Sequence, residues 1–299
     1  MKTTQEPRRG SEHLKDMKHS SEQLQQIATQ VRRDILRMTT SAKSGHPGGS
    51  LGTADWFVAM NFNIMDFEPK NFTMSGEGED MLFVSQGHIT PVIYSTMARR
   101  GYFPVDELKT FRQFGTRLQG HPSTEHGLPG IRMASGSLGQ GMSVGIGAAL
   151  GKKMTGDKHL VYTMHGDGEL QEGQIWEAVM FAGAKGVDNL ISTVDFNHQQ
   201  IDGTTQQVMD LGDLKAKFEA FQWTVVVIEN GNDMQQVLDG MAKAKTLTGQ
   251  GKPVCVILTT EMGYGVDFMQ GINKYHGSVL SADDLPKALA QLPETLGDF

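Results

Sequence analysis

At 299 residues the chain has the length of one large domain or two small ones. Its 27 Lys+Arg against 34 Asp+Glu leave a formal net charge of −7, which excludes a nucleic-acid platform built on a basic face or tail. A hydrophobic share of 38% with 20% charged residues excludes a wholly disordered chain, and no uninterrupted apolar run reaches the roughly 20 residues that a membrane helix needs.

Residues 1–20 are polar throughout and read as a flexible N-terminal arm without the apolar stretch of a signal peptide. Leu24, Ile27, Val31 and Ile35 then recur at helical spacing behind Ser20 and Ser21, which supply a cap. The helix should stop before Ser44-Gly45-His46-Pro47-Gly48-Gly49, whose proline and glycines predict irregular chain, and a second helix is expected over about 50–63. The apolar run 81–85 ends at Gln86-Gly87-His88 and is followed by a helix with Pro91 in its first turn, where a missing N–H costs little. A long irregular excursion is expected from about 115 to 137, and Gly136–Gly141 then opens a Gly/Ala-rich helix.

Further short β-rich runs cover 159–165, 190–196, 224–230 and 253–260, with helices from the Gly166-Asp167-Gly168 turn to about Gly183 and over 233–246. Strands alternating with helices predict one doubly wound α/β domain over 21–299, a mostly parallel sheet with helices on both faces. Cys255 has no second cysteine to pair with and sits in an apolar run, where it reads as a small buried hydrophobe. A cytoplasmic location follows as the expectation. Glycine makes up 36 of 299 residues, about 12% against a usual ~7%, without a collagen period. The glycines therefore mark tight turns and close backbone approaches.

Ligands of such sheets bind at the carboxyl ends of the strands, and His88, Asp167 and Asn197 each fall just past a predicted strand end. A carboxylate flanked by glycines at a strand-to-helix turn is either a plain turn or a place where a hard cation bridges protein and phosphate. Mg²⁺ suits the second, since it takes one or two protein oxygens and completes its octahedron with phosphate and water. Asn197 lies 30 residues beyond Asp167 (197 − 167), the length of one βαβ unit, so both can approach one point from adjacent strands.

The segments SGHPGGSLG (44–52), SQGH (85–88), GHP (120–122), SGSLGQG (135–141), GDGELQEG (166–173), DFN (195–197) with IDG (201–203), and YHG (275–277) together resemble the thiamine diphosphate enzymes, and within them the transketolases. The resemblance implies that Asp167, Asn197 and the backbone carbonyl of Gln199 hold a Mg²⁺ that bridges to the diphosphate, and that Gly168 lets the main chain approach it. Gly136, Ser137 and Leu138 would line the cofactor, with Ser137 standing where transketolases usually carry proline. His46 and His276 would contact donor hydroxyls and relay protons, His121 the terminal hydroxyl, and His88 and His276 the diphosphate region. Glu172, as a catalytic residue, and Glu177 would lie near a subunit contact, on the helix after the GDG turn, in a hydrogen-bonded chain between paired cofactors. His159, His165 and His198 receive no role.

The resemblance also implies what is missing. The glutamate that activates the cofactor's aminopyrimidine belongs, in the family, to a pyrimidine-binding domain for which the 22 residues after Gly277 (299 − 277) leave no room. The chain is thus expected to be the N-terminal subunit of a split transketolase, completed by a C-terminal subunit in a heterotetramer and moving a two-carbon unit between sugar phosphates such as xylulose 5-phosphate and ribose 5-phosphate. Three other readings stay open: the same chemistry on an unusual sugar, the alpha subunit of a 2-oxo-acid dehydrogenase, and a non-catalytic half-chain. No nucleic acid or membrane is expected as a partner.

Overall fold

The computed structural model describes residues 19–299, so the expected arm over 1–20 lies, apart from its last two residues, outside the described residues. Helix α1 (Ser21–Ala42) opens on a reciprocal cap: Gln23 N–H donates to Ser20 Oγ at 3.2 Å, and Ser20 N–H donates to Gln23 Oε1 at 2.8 Å. Its apolar stripe, Leu24, Ile27, Val31 and Ile35, is buried as the spacing predicts.

The SGHPGG segment departs from expectation. Pro47–Gly52 is a fully buried helix, α2, with Pro47 at the first helical position, where no N–H is required. Its glycines serve close approach rather than a turn: a side chain on Gly48 would stand 2.7 Å from the Tyr275 carbonyl oxygen. The single helix expected over 50–63 is instead α2, α3 (Ala54–Ala59) and a π-helical turn, Met60–Ile64. The break falls at Thr53, whose hydroxyl donates back to the Gly49 carbonyl at 2.8 Å.

Five strands, β1 (Met81–Val84), β2 (Val161–Gly166), β3 (Leu190–Phe196), β6 (Thr224–Ile228) and β7 (Val254–Thr259), form one all-parallel sheet in the order β1-β2-β3-β7-β6. The central strands are buried along nearly their whole length because both of their faces are covered. On one face α1, α3, α4 (Thr90–Arg100) and α9 (Met234–Thr246) bury a large core; on the other α5 (Gln140–Thr155), α6 (Gly173–Ala184) and α8 (Leu214–Ala220) bury a second. The chain steps one way along the sheet through α6, from β2 to β3, and the opposite way through α9, from β6 to β7. Right-handed crossovers therefore put those helices on opposite faces.

No helix or strand occurs over 111–139, the excursion read from the sequence as 115–137. A two-residue antiparallel hairpin, β4 (Gln199–Gln200) with β5 (Gly203–Thr204), and the short helix α7 (Thr205–Met209) were not anticipated, because the polar run over 198–210 carries no apolar period; α8, whose buried Leu214 and Phe218 lie one turn apart, was not anticipated either. A short helix, α10 (Leu285–Leu289), lies near the C-terminus. Among the described residues no helix is long and apolar enough to cross a membrane.

Candidate active site

Parallel pairing of β2 with β3 runs from Val161↔Leu190 to Gly166↔Asp195, which is how a 30-residue separation becomes adjacency. One residue past each strand end, Asp167 and Asn197 line the same cavity of about 340 Å³ at the carboxyl edge of the sheet. His46, His88, Gly136, Leu138, Gly168, Gln199 and His276 line it as well. Ser137 is exposed and outside the lining, and His121 stands exposed at the mouth, its ring 6.4 Å from that of His46. Glu172 lies outside the cavity too. It occupies the extended residue before α6 rather than the helix, while Glu177 faces solvent on α6 itself.

Asp167 is 1% exposed and accepts hydrogen bonds from Gly168 N–H at 2.7 Å and His198 N–H at 2.6 Å. The second bond needs His198 in a left-handed conformation (φ 63), uncommon for a residue with a Cβ. Asn197 is oriented on both sides: its amide N–H donates to Asp195 at 2.9 Å, and its oxygen accepts from Gln199 N–H at 2.9 Å. That oxygen keeps a second lone pair. A side chain on Gly168 would meet the Gln200 Cβ at 3.0 Å, so its bareness also lets the hairpin close over the turn.

Burial, followed by the negative charge of Asp195, pushes the Asp167 carboxyl up to about 8, and burial pushes Asp195 up to about 6. A bound divalent cation reverses that logic by favouring the carboxylate. Among the described residues no three His, Cys, Asp or Glu side chains converge as a metal cluster. A lone carboxylate, an amide oxygen and a backbone carbonyl suit a hard cation that takes its remaining ligands from a phosphate. The donor set therefore fits a cation shared with a diphosphate.

The histidines form the other wall. Ring centroids lie 5.1 Å apart for His46–His88, 5.9 Å for His46–His276 and 5.2 Å for His88–His276. Burial is the main reason that all three are held below the ordinary histidine range, with His46 at about 4 and His88 lowered further by His276, His46 and His121. The Nδ1 atoms of His46 and His276 are buried without a hydrogen-bond partner, which leaves two imidazole nitrogens available to a hydroxylated ligand.

Neutral buried histidines cost stability in acid. His46 titrates at about 4 in the fold against an ordinary 6.5, so the unfolded chain binds more protons between those values and stability falls as pH drops through that window. The raised Asp167 and Asp195 act in the opposite sense, so the effect is read as a difference. The stability advantage of wild type over His46→Gln should shrink steadily from pH 7 to pH 4.5 in urea unfolding. A pH-independent difference would show that His46 is not held neutral.

The sequence reading passed over Glu169, Gln86 and Ile201, all of which line the cavity. Glu169 is 2% exposed and accepts from Ser85 Oγ, Gly139 N–H at 2.7 Å and Gly166 N–H at 3.1 Å, joining the ends of β1 and β2 to the start of α5. Burial alone would raise its carboxyl, but His165 and these donors hold it low. Its position inside GDGELQEG was the available signal; an acid after a turn otherwise reads as solvated. Of the histidines without a role, His159 bonds Asp157 at 2.6 Å, His165 is fully buried beside Glu169, and His198 acts through its backbone.

The family model for the transketolase thiamine diphosphate-binding domain matches residues 24–295. A 6-deoxy-6-sulfo-D-fructose transketolase subunit of Clostridium sp. (strain MSTE9) is 38% identical over 273 residues, 90% of this chain and 97% of that protein. An apulose-4-phosphate transketolase subunit of Phocaeicola vulgatus is 34% identical, with 89% of this chain and 92% of that protein covered. The solved transketolase of Leishmania mexicana superposes with a TM-score of 0.84 at 29% identity, over 90% of this chain but only 41% of that one.

Proposed function

The chain belongs to the transketolase family, through its thiamine diphosphate-binding domain, and from that premise we propose that it is one subunit of a two-chain transketolase. The observation that carries this reading is the single cavity in which Asp167 and Asn197 face His46, His88 and His276, two of the three with an unpartnered ring nitrogen. Near end-to-end matching to proteins named as transketolase subunits supports a partner chain. That partner would supply the pyrimidine-binding domain and its glutamate, in a heterotetramer of two chains of each kind.

In this proposal Asp167, Asn197 and the Gln199 carbonyl hold Mg²⁺ against the diphosphate, and His88, Gly136, Leu138 and Gly168 seat the cofactor, with Ser137 contributing no more than backbone from outside the lining. Bound thiamine diphosphate supplies a nucleophilic carbon and an electron sink. His46 and His276 hold or move protons at the donor hydroxyls, where a neutral ring can both accept and donate. His121 meets the terminal hydroxyl from the mouth. Glu172 and Glu177, both exposed, act across the subunit contact rather than in this cavity. The lone, fully buried Cys255 suits a cytoplasmic enzyme.

Xylulose 5-phosphate with ribose 5-phosphate is the first substrate pair to test. The names of the similar subunits favour a second reading, the same transfer on 6-deoxy-6-sulfofructose or apulose 4-phosphate. Ketol transfer should be assayed with thiamine diphosphate and Mg²⁺, first on this chain alone and then with the pyrimidine-domain chain from the neighbouring gene, across all three donors. Activity in the mixture alone is the expected result, and the donor that reacts chooses between the readings. Activity of the chain alone would show that no partner is needed, and a mixture inactive with every donor would count against a transketolase.

A further inference from the structure

Arg112 lies in the irregular 111–139 stretch, outside every matched segment. Its backbone is left-handed (φ 58) and its N–H donates to the Leu118 carbonyl at 3.0 Å, closing a tight loop. From that loop the side chain reaches back. Nη1 donates to Ser44 Oγ at 2.9 Å, two residues before His46, and Nη2 donates to the Gly120 carbonyl at 3.2 Å, one residue before His121. The guanidinium lies against the Gly120 backbone, where a Cβ would come within 2.7 Å of its central carbon, so a larger residue at 120 would displace the guanidinium. Nε is buried with no hydrogen-bond partner. Among the described residues no carboxylate pairs with this guanidinium, whereas Arg32, Arg33, Arg99, Arg117 and Arg132 all have one.

We propose that Arg112 is a positioning residue for donor binding: one guanidinium clamps the His46 loop to the His121 loop and sets an uncompensated positive charge beside both rings. The proposal rests on the reading of His46 and His121 as donor-contacting groups. A half-buried cation with no carboxylate beside it still loses part of its hydration, and its retention makes sense where that charge is used. It disfavours a second positive charge on either ring. His46 is lowered first by burial and then by His276, Arg112 and His121; His121 is lowered by burial and then by Arg112. The groups that face His46 are His88, His276, His121 and Arg112, and no carboxylate is among them. Neutral rings can then serve as acceptor or donor to the same hydroxyl.

The test uses the full chain labelled with ¹³C at histidine, with each imidazole titrated by NMR in wild type, Arg112→Gln and Arg112→Lys. Glutamine removes the charge and keeps a donor for Ser44 or Gly120; lysine keeps the charge and loses the fork. In Arg112→Gln the midpoints of His46 and His121 should rise by about half to one pH unit. In Arg112→Lys both midpoints should remain within about 0.2 unit of wild type. Unmoved midpoints in the glutamine variant overturn the proposal, and so do midpoints that rise in the lysine variant, which decides the matter alone if glutamine is not tolerated. In the assembled enzyme, Arg112→Lys should raise the KM for xylulose 5-phosphate about tenfold at unchanged cofactor affinity. Midpoints that follow the charge while that KM stays constant would overturn the donor reading rather than the electrostatics.

Discussion

Asp167→Ala is expected to abolish Mg²⁺-dependent thiamine diphosphate binding in the assembled enzyme, with a loss of at least ~100-fold, about 2.7 kcal/mol. The carboxylate is 1% exposed, aimed by two backbone N–H groups, and is the one carboxylate that lines the cavity at the carboxyl ends of β2 and β3 without being taken up by the loop network, as Glu169 is. Among the described residues no three His, Cys, Asp or Glu side chains converge elsewhere to take over a cation. The alanine variant should keep the turn, because Gly168 lines the cavity and His198 is exposed, so water can take up the amides it releases. Cofactor titration by intrinsic fluorescence, with and without Mg²⁺, reads the effect. An affinity that stays within threefold of wild type, roughly 0.65 kcal/mol, would show that the cation is held elsewhere.

Asp55→Ala carries the largest expected cost to the fold, about 3–5 kcal/mol, the range for breaking a buried ion pair from one side. Asp55 on α3 is fully buried and accepts from the Arg32 guanidinium of α1, from Gln25 Nε2 at 3.1 Å and from Asn232 Nδ2 at 3.4 Å. Arg32, 1% exposed, also donates Nε–H to the Leu51 carbonyl at 3.1 Å, at the end of the buried α2 helix that follows His46. Alanine leaves that guanidinium buried without an anion. Thermal unfolding should drop by on the order of 10 °C. Joint replacement of Arg32 and Asp55 by apolar residues of similar volume should cost much less, since neither charge is then left alone. A single-variant loss under about 1 kcal/mol would mean that water or a neighbour already screens the pair.

The sheet was legible because its strands are short, apolar and β-branched, and the Asp167 to Asn197 spacing was legible because a βαβ unit has a characteristic length. The motif histidines were legible only as members of a pattern, since a lone histidine beside glycine says little. The SGHPGG segment was misread because proline and glycine signal a break only when nothing packs on them. Here Tyr275 and Met262 approach so closely that glycine is what permits a helix. Glu172 was placed on a helix because GDGELQEG runs into one; the 3-10 turn Gly168–Gln171 displaces the start by a few residues and leaves Glu172 extended.

By itself the sequence determined the fold class, the strand ends that would carry ligands, and the likeness to transketolases, because each is written in local periodicity or in contiguous motifs. Only the tertiary structure decided which motif residues share the cavity, that Glu169 is a buried junction of three loops, and that Arg112, anonymous in the chain, bridges two histidine loops. Those facts depend on contacts that no local window holds, such as Gly139 with Glu169, 30 positions apart, and Ser85 with Glu169, 84 apart, and on a burial that strips water from charged groups. No local pattern encodes either, because a side chain's partners and its dielectric surroundings exist only once the chain has closed around it.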